Sequence, residues 1–253
     1  MPRFAANLTF LFTEYPPERR IEMAAKAGFD SVEILYPYER SIKSLRDDLE
    51  CAAVNLVLIN TPEPHWSSGS RGLAACPGRE TEFRSQFEEA LDYATALDVQ
   101  HIHVMSGISH NANAEATFIS NLEWAAARAP DQGLTIEPIN PIDMPGYFLN
   151  DFKMAERILD AVAAPNLTLQ FDTYHAHILT GDVIGTWEKF GRHAGHVQVA
   201  GFPGRHEPTG GQIDYPAFFT QLDSERYTGV VSGEYNPEST TEIGLGWCQL
   251  RTT

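Results

Sequence analysis

Short apolar, β-branched runs alternate along the chain with longer stretches whose apolar positions recur at helical spacing, the pattern expected of successive βα units. Eight runs read as strands: residues 3–8, 31–35, 56–60, 101–105, 134–137, 167–172, 196–200 and 230–234. The spacing between them predicts helices over 17–27, 41–52, 80–97, 114–129, 151–162, 183–192 and 215–222, with 240–248 closing the chain. Pro17 at the start of the first helix and Gly28 just past its end follow the Pro-first, Gly-after asymmetry of helix termini. Eight strand-like runs in 253 residues favour an α/β fold, a single-domain (β/α)8 TIM-type barrel over residues 1–253. Closure removes both sheet edges, which an open doubly wound sheet would have to protect. A Rossmann domain is the competing fold, but no G-x-G-x-x-G follows the first strand and no G-x-x-x-x-G-K-[ST] occurs.

Composition narrows the partners. Hydrophobic residues make up 43% and charged residues 21%, enough for a sizeable core. A formal net charge of −16 opposes any partner that binds through phosphates or anionic lipid, so neither nucleic acid nor a membrane surface is expected. A small-molecule substrate is expected instead, and if it is an acid the site must supply local cations. The three cysteines, Cys51, Cys76 and Cys248, are odd in number and widely spaced, which suits a reducing compartment and neither a disulfide framework nor a thiolate zinc site. No export leader and no run of about 18 apolar residues is evident, so the expected address is the cytoplasm. Oligomeric state, a homo-oligomer included, stays open at this level.

A barrel strand is apolar until it leaves the core, so a polar residue at its C-terminal end lies on the face where barrel enzymes place their chemistry. Four strands end that way, at Glu137, Asp172, Gln198 and Glu234. A lone Glu or Asp there is commonly a helix cap or a solvated loop group. Four from consecutive strands can instead point at a common centre, where the crowded carboxylates require a cation. Oxygen ligands select a hard ion, Mg2+ or Mn2+. Glu137 and Glu234 come from strands well apart around the mouth, which suits an acid/base pair that moves a proton between adjacent carbons of a hydroxy-carbonyl compound. A metal chelated by the substrate's carbonyl and hydroxyl oxygens would hold the enediolate charge.

At this point the chain resembles the hydroxypyruvate isomerase and 2-oxo-tetronate isomerase family, within the xylose-isomerase-like barrel superfamily. The matching stretches include Cys76-Pro77-Gly78-Arg79-Glu80, Ile136-Glu137-Pro138-Ile139-Asn140 and Asp172-Thr173-Tyr174-His175-Ala176-His177. They continue through His196-Val197-Gln198-Val199-Ala200-Gly201, Arg205-His206-Glu207-Pro208 and Gly233-Glu234-Tyr235-Asn236-Pro237. The resemblance spans nearly the whole chain. It implies a metal held by Glu137, Asp172, Gln198 and Glu234, with Glu137 and Glu234 as the catalytic pair and His175 as a substrate contact. Related sugar epimerases carry His where this chain has Gln198, which speaks against that branch.

The remaining candidates come from residue chemistry. Arg205, Arg71 and Arg79 lie in the long loops 201–214 and 61–79 and are the best cations for a substrate carboxylate, because a guanidinium matches it with two hydrogen bonds. Glu207 is expected near the substrate or as a tether for Arg205. His101 and His103 share one strand face; His103 is the candidate substrate contact, and packing explains at least one of the pair. Trp66, Tyr174 and Trp247 are candidates for shielding the site from water. The expected reaction is isomerisation of hydroxypyruvate to tartronate semialdehyde, or of the one-carbon-longer 2-oxo-tetronate. The alternatives are a ketose 3-epimerase, a metal-dependent endonuclease and a non-catalytic, metal-stabilised sugar-binding scaffold.

Overall fold

The computed structural model describes residues 3–63, 67 and 69–249. Its strands are β1 (Arg3–Asn7), β2 (Ser31–Glu33), β3 (Asn55–Asn60), β4 (His101–His103), β5 (Gly133–Ile136), β6 (Leu167–Asp172), β7 (Ala194–Val199) and β8 (Val230–Gly233). All pair in parallel in chain order, and β8 returns to β1, so the sheet closes into a barrel. The surrounding helices are α1 (Pro17–Lys26), α2 (Ile42–Ala52), α3 (Glu80–Leu97), α4 (Ala114–Arg128), α5 (Phe152–Val162), α6 (Thr173–Thr180), α7 (Val183–Phe190), α8 (Tyr215–Ser224) and α9 (Thr241–Gly244).

The predicted strands are all present. Most of the predicted helices are too, with two differences. A helix absent from the sequence reading, α6, follows directly on β6. The closing helix predicted over 240–248 is broken: α9 gives way to a 3-10 stretch, Leu245–Gln249. Gly244 and Gly246 lie at that junction and weaken helical continuation.

Residue alternation along each strand sorts the side chains between two environments. Phe171 of β6 points outward and packs against Phe152 of α5 and Trp187 of α7, with ring centroids 5.3 and 5.1 Å apart. Gln170 and Asp172, on either side of it, take part instead in the polar contacts described below. Side-chain caps fix several helix starts: Ser41, Asp151, Asp182 and Asp214 each accept a backbone N–H from the first turn of α2, α5, α7 and α8. Among the described residues, no helix is long and apolar enough to cross a membrane, and no disulfide joins the three cysteines.

Candidate active site

All eight strands carry a buried polar side chain at, or within one residue of, the C-terminal end. In order these are Asn7, Glu33, Asn60, His103, Glu137, Asp172, Gln198 and Glu234. The closed barrel therefore brings the four sequence-predicted strand-end residues to one mouth, together with three more, Asn7, Glu33 and Asn60, that were not singled out. The pairing register sets Asn7 beside Glu33 and Asp172 beside Gln198.

Side-chain amides link these groups. Asn7 Nδ2 donates to Glu33 Oε2 at 2.8 Å and to Glu234 Oε2 at 3.1 Å. Gln198 Nε2 donates to the same two atoms at 3.0 and 2.5 Å, so two amides bridge the two carboxylates. Gln198 Oε1 accepts from Gln170 Nε2 at 2.7 Å, and that nitrogen also donates to Glu137 Oε2 at 3.1 Å. Gln170 Oε1 in turn accepts from Thr135 Oγ1 at 2.9 Å. Glu33 completes the network in a short pairing with His196. Gln170 thus joins Glu137 and Gln198, and Gln198 joins Glu234, beneath the mouth.

Burial makes this cluster costly to ionise. It pushes the Glu137 carboxyl well above its usual range, and Asp172 and Glu234 push it further. Burial also raises Asp172, against the pull of Arg205 and of two backbone N–H groups. Glu234 is pushed up to about 8 by burial, again opposed by Arg205. Asp172 divides its oxygens. Oδ1 caps α6, accepting from Tyr174 N at 2.7 Å and His175 N at 3.1 Å, while Oδ2 is buried without a hydrogen-bond partner.

The first turn of α6 carries His175 back over that carboxylate. Its Nε2 lies 3.8 Å from Glu137 Oε1 and 4.0 Å from Asp172 Oδ2. One ligand atom from each of Glu137, Asp172 and His175 lies within 4.8 Å of the others, close enough to share a cation. The tautomer argues for a different role for the histidine. Asn140 Oδ1 accepts the N–H groups of Ile142 and Asp143, at 3.0 and 2.9 Å, which turns Asn140 Nδ2 toward His175 Nδ1 at 2.6 Å. Nδ1 is therefore the acceptor, and the proton of the neutral ring sits on Nε2, facing the carboxylates. Burial holds this imidazole neutral, its pKa lowered to about 3. His103 is likewise neutral, lowered to about 3 by burial, with Nδ1 3.2 Å from Asn60 Oδ1 and 3.7 Å from Glu137 Oε2.

Arg205 reaches the same centre from the loop after β7. Its Nη2 pairs with Glu234 Oε1 and lies 3.6 Å from Asp172 Oδ2. The guanidinium carbon sits 5.2 Å from the Phe10 ring centroid and 5.1 Å from that of Tyr174, so the group is sandwiched between two rings. Burial alone would lower its pKa, but Glu234, Asp172 and Glu137 outweigh that and raise it.

A cavity of about 430 Å³ opens above this cluster, bordered by Glu137, His175, Arg205, Glu234, His103 and Arg71. Arg71 is placed by its neighbour. Gly72 N donates to Glu63 Oε2 at 2.6 Å, and Gly72 bridges to Ser106, with Gly107 so close that a Cβ there would lie 2.2 Å from Gly72 O. Arg79 is not brought in: its guanidinium pairs with Glu82 through both Nε and Nη2 on the surface. Nor is Glu207, which accepts from Glu238 N rather than from Arg205 and borders a separate rim hollow of about 520 Å³ with His206. Tyr174 is the one predicted shielding aromatic found at the centre. Trp247 is buried against Phe4 and Tyr235 away from the cavity, and Trp66 lies outside the described residues.

Residues 21–250 match the family described as xylose isomerase-like TIM barrel. The chain is 44% identical to the 2-oxo-tetronate isomerase of Cupriavidus necator, covering 98% of this chain and 97% of that one. It is 38% identical to the hydroxypyruvate isomerase of Escherichia coli, over 98% of each. A solved structure described as AP endonuclease, family 2, from Brucella melitensis superimposes with a TM-score of 0.96 at 43% identity over 100% of both chains.

Proposed function

The chain belongs to the xylose isomerase-like TIM barrel family, and from that premise we propose that it isomerises a three- or four-carbon hydroxy-oxo acid, hydroxypyruvate or 2-oxo-tetronate, in a metal-dependent reaction. One observation carries the reading: two buried carboxylates, Glu137 and Glu234, border one cavity together with a cationic side chain and a neutral histidine donor.

Asp172 Oδ2, buried without a hydrogen bond and 3.6 Å from Arg205 Nη2, is the atom a cation would satisfy, and the oxygen donors around it suit Mg2+ or Mn2+. Glu137, Asp172 and Glu234 would hold the ion, and Gln198, the fourth residue the family resemblance implies, stands beside them through its bonds to Gln170 and Glu234. When bound, the ion supplies positive charge for the two substrate oxygens between which the carbonyl migrates.

The protein's own groups do the rest. Burial raises Glu234 in the metal-free protein, but N–H bonds from Asn7 and Gln198 favour its ionised form, and with a cation beside it Glu234 would be the base that removes the proton from the carbon beside the carbonyl. Glu137 receives one, from Gln170, and lies deeper in like charge, so it holds the proton it delivers to the former carbonyl carbon. A hydroxyl proton passes between the two oxygens, and the formula is unchanged. His175 Nε2–H donates to one of those oxygens. Arg71, across the cavity, pairs with the substrate carboxylate.

The acidic mouth and the net charge of −16 do not suit a DNA substrate, which the name of the Brucella structure would suggest for that protein. Activity on hydroxypyruvate and on 2-oxo-tetronate with added Mg2+ or Mn2+ tests the proposal, alongside Glu137→Gln and Glu234→Gln. Each variant is expected to lose turnover by about 10³-fold or more while keeping its fold. Near wild-type turnover in either one refutes the acid/base assignment. Deuterium appearing only at the carbon it left would instead favour an epimerase.

A further inference from the structure

An ion bridging Asp172 and Glu234 must sit about 2.0–2.6 Å from a carboxylate oxygen of each. Arg205 Nη2 pairs with Glu234 Oε1 and lies 3.6 Å from Asp172 Oδ2, so the guanidinium stands where an ion shared by those two oxygens would sit. The arginine is also incompletely used where it stands. Its buried Nε has no hydrogen-bond partner, and Asp172 Oδ2 is left without one although Nη2 is near. Both atoms are what an arrangement with a second occupant would satisfy.

The surroundings provide a path for exchange. The guanidinium lies between the faces of Phe10 and Tyr174, which can hold it as it shifts, and it borders the cavity of about 430 Å³. Its backbone is firmly anchored: Asn236 N donates to Arg205 O at 2.8 Å, and Gly201 N to His206 O at 2.8 Å. Movement is therefore confined to the side chain, along the slot between the rings and toward the space a substrate would fill.

We propose that Arg205 is a resident counter-cation, holding Glu234 and Asp172 in the metal-free protein and yielding them to a divalent ion, so that metal loading turns its guanidinium toward substrate. This rests on the metal-dependent reading above. It assigns Arg205 a place in the metal-free protein as well as in the substrate complex, and it makes the side chain a competitor of the metal.

The test is Mn2+ binding to the full chain without substrate, followed by the free-ion EPR signal, in wild type, Arg205→Met and Arg205→Lys. Competition predicts that Arg205→Met binds Mn2+ at least about tenfold more tightly than wild type, about 1.4 kcal/mol. Its metal-free melting temperature should be lower and its stabilisation by Mn2+ larger. Arg205→Lys, which keeps the charge, should stay nearer to wild type. Equal or weaker binding by Arg205→Met overturns the competition and leaves the metal reading standing; absence of binding in both proteins overturns both. If Arg205→Met does not fold, the wild type still decides. The Arg205 Nε–H resonance, assigned by its loss in Arg205→Lys, must move on addition of Mg2+, and a resonance that stays in place overturns the proposal.

Discussion

Replacing Glu137 by Gln is expected to stabilise the metal-free protein while abolishing its turnover. The substitution keeps shape and volume and replaces a carboxyl that the folded metal-free protein holds protonated. Ionising Glu137 within 4.8 Å of an ionised Asp172 would cost about 3.5 kcal/mol at an effective dielectric of about 20, on top of its burial. The unfolded chain ionises the same group at about pH 4.3, so above that value folding must take up a proton, at a cost of about 1.4 kcal/mol per pH unit that Gln avoids. At about pH 6 the gain is about 2 kcal/mol, or a melting temperature higher by roughly 4–8 °C for a chain of this size.

The pH dependence gives the sign a second check. Burial first, then Asp172 and Glu234, raises the folded-state pKa of Glu137, so the folded protein holds a proton that the unfolded chain releases. Wild-type stability therefore falls as pH rises above the unfolded value of about 4.3, and the advantage of Glu137→Gln grows over the same range. Thermal melts after EDTA treatment, from pH 5 to pH 9, measure both. A variant less stable than wild type at the alkaline end, or an advantage that shrinks as pH rises, would refute the electrostatic account of this site.

Two further substitutions probe the groups around the carboxylates. Gln170→Leu removes an amide that makes three side-chain hydrogen bonds, to Glu137, Gln198 and Thr135, and leaves their partners buried; a loss of about 3 kcal/mol in urea unfolding and of about 10²-fold in kcat is expected. Unchanged kcat would show that the amide network does not orient the acid/base pair. Arg71→Met should raise KM for the acid substrate by about 10²-fold with a much smaller change in kcat, read from steady-state kinetics. A change confined to kcat would place the carboxylate elsewhere.

The barrel was legible because strand and helix periods alternate cleanly, and because Gly28, just past α1, adopts the positive φ of 95° that such a helix exit favours. The mouth was legible only in part. Glu137, Asp172, Gln198 and Glu234 stand out as polar residues ending apolar runs, whereas Gln170, Thr135 and His196 lie two residues earlier on the same strands and were read as ordinary strand positions. Strand alternation from each assigned residue would have found them, since positions i and i−2 share a face. Glu33 and Asn7 escaped because β1 and β2 were read for apolar pattern alone. Arg79 with Glu82 is a local i,i+3 pair at the start of α3, within reach of the sequence spacing, whereas Glu207 with Glu238 and Arg205 with Glu234 depend on how loops fold over the barrel, which no local period records.

Asp172 shows why the choice between helix cap and functional group was posed too narrowly. A carboxylate has two oxygens, and here they are divided. Oδ1 is held by the N–H groups of Tyr174 and His175, which starts α6 directly from the end of β6, and that bond fixes the carboxylate so that Oδ2 faces Arg205 and His175. The same cap brings His175, three residues on, back over the mouth, because residues at that spacing share one helical face. The short helix lacks the apolar period that marks the others, which is why it was missed. It follows that Asp172→Asn is a conservative change for the cap but not for the mouth: Asn at this position can still accept the two N–H bonds and preserve α6, while the charge facing Arg205 is gone. Cap and charge are thus two separable contributions of one side chain, made in opposite directions by its two oxygens.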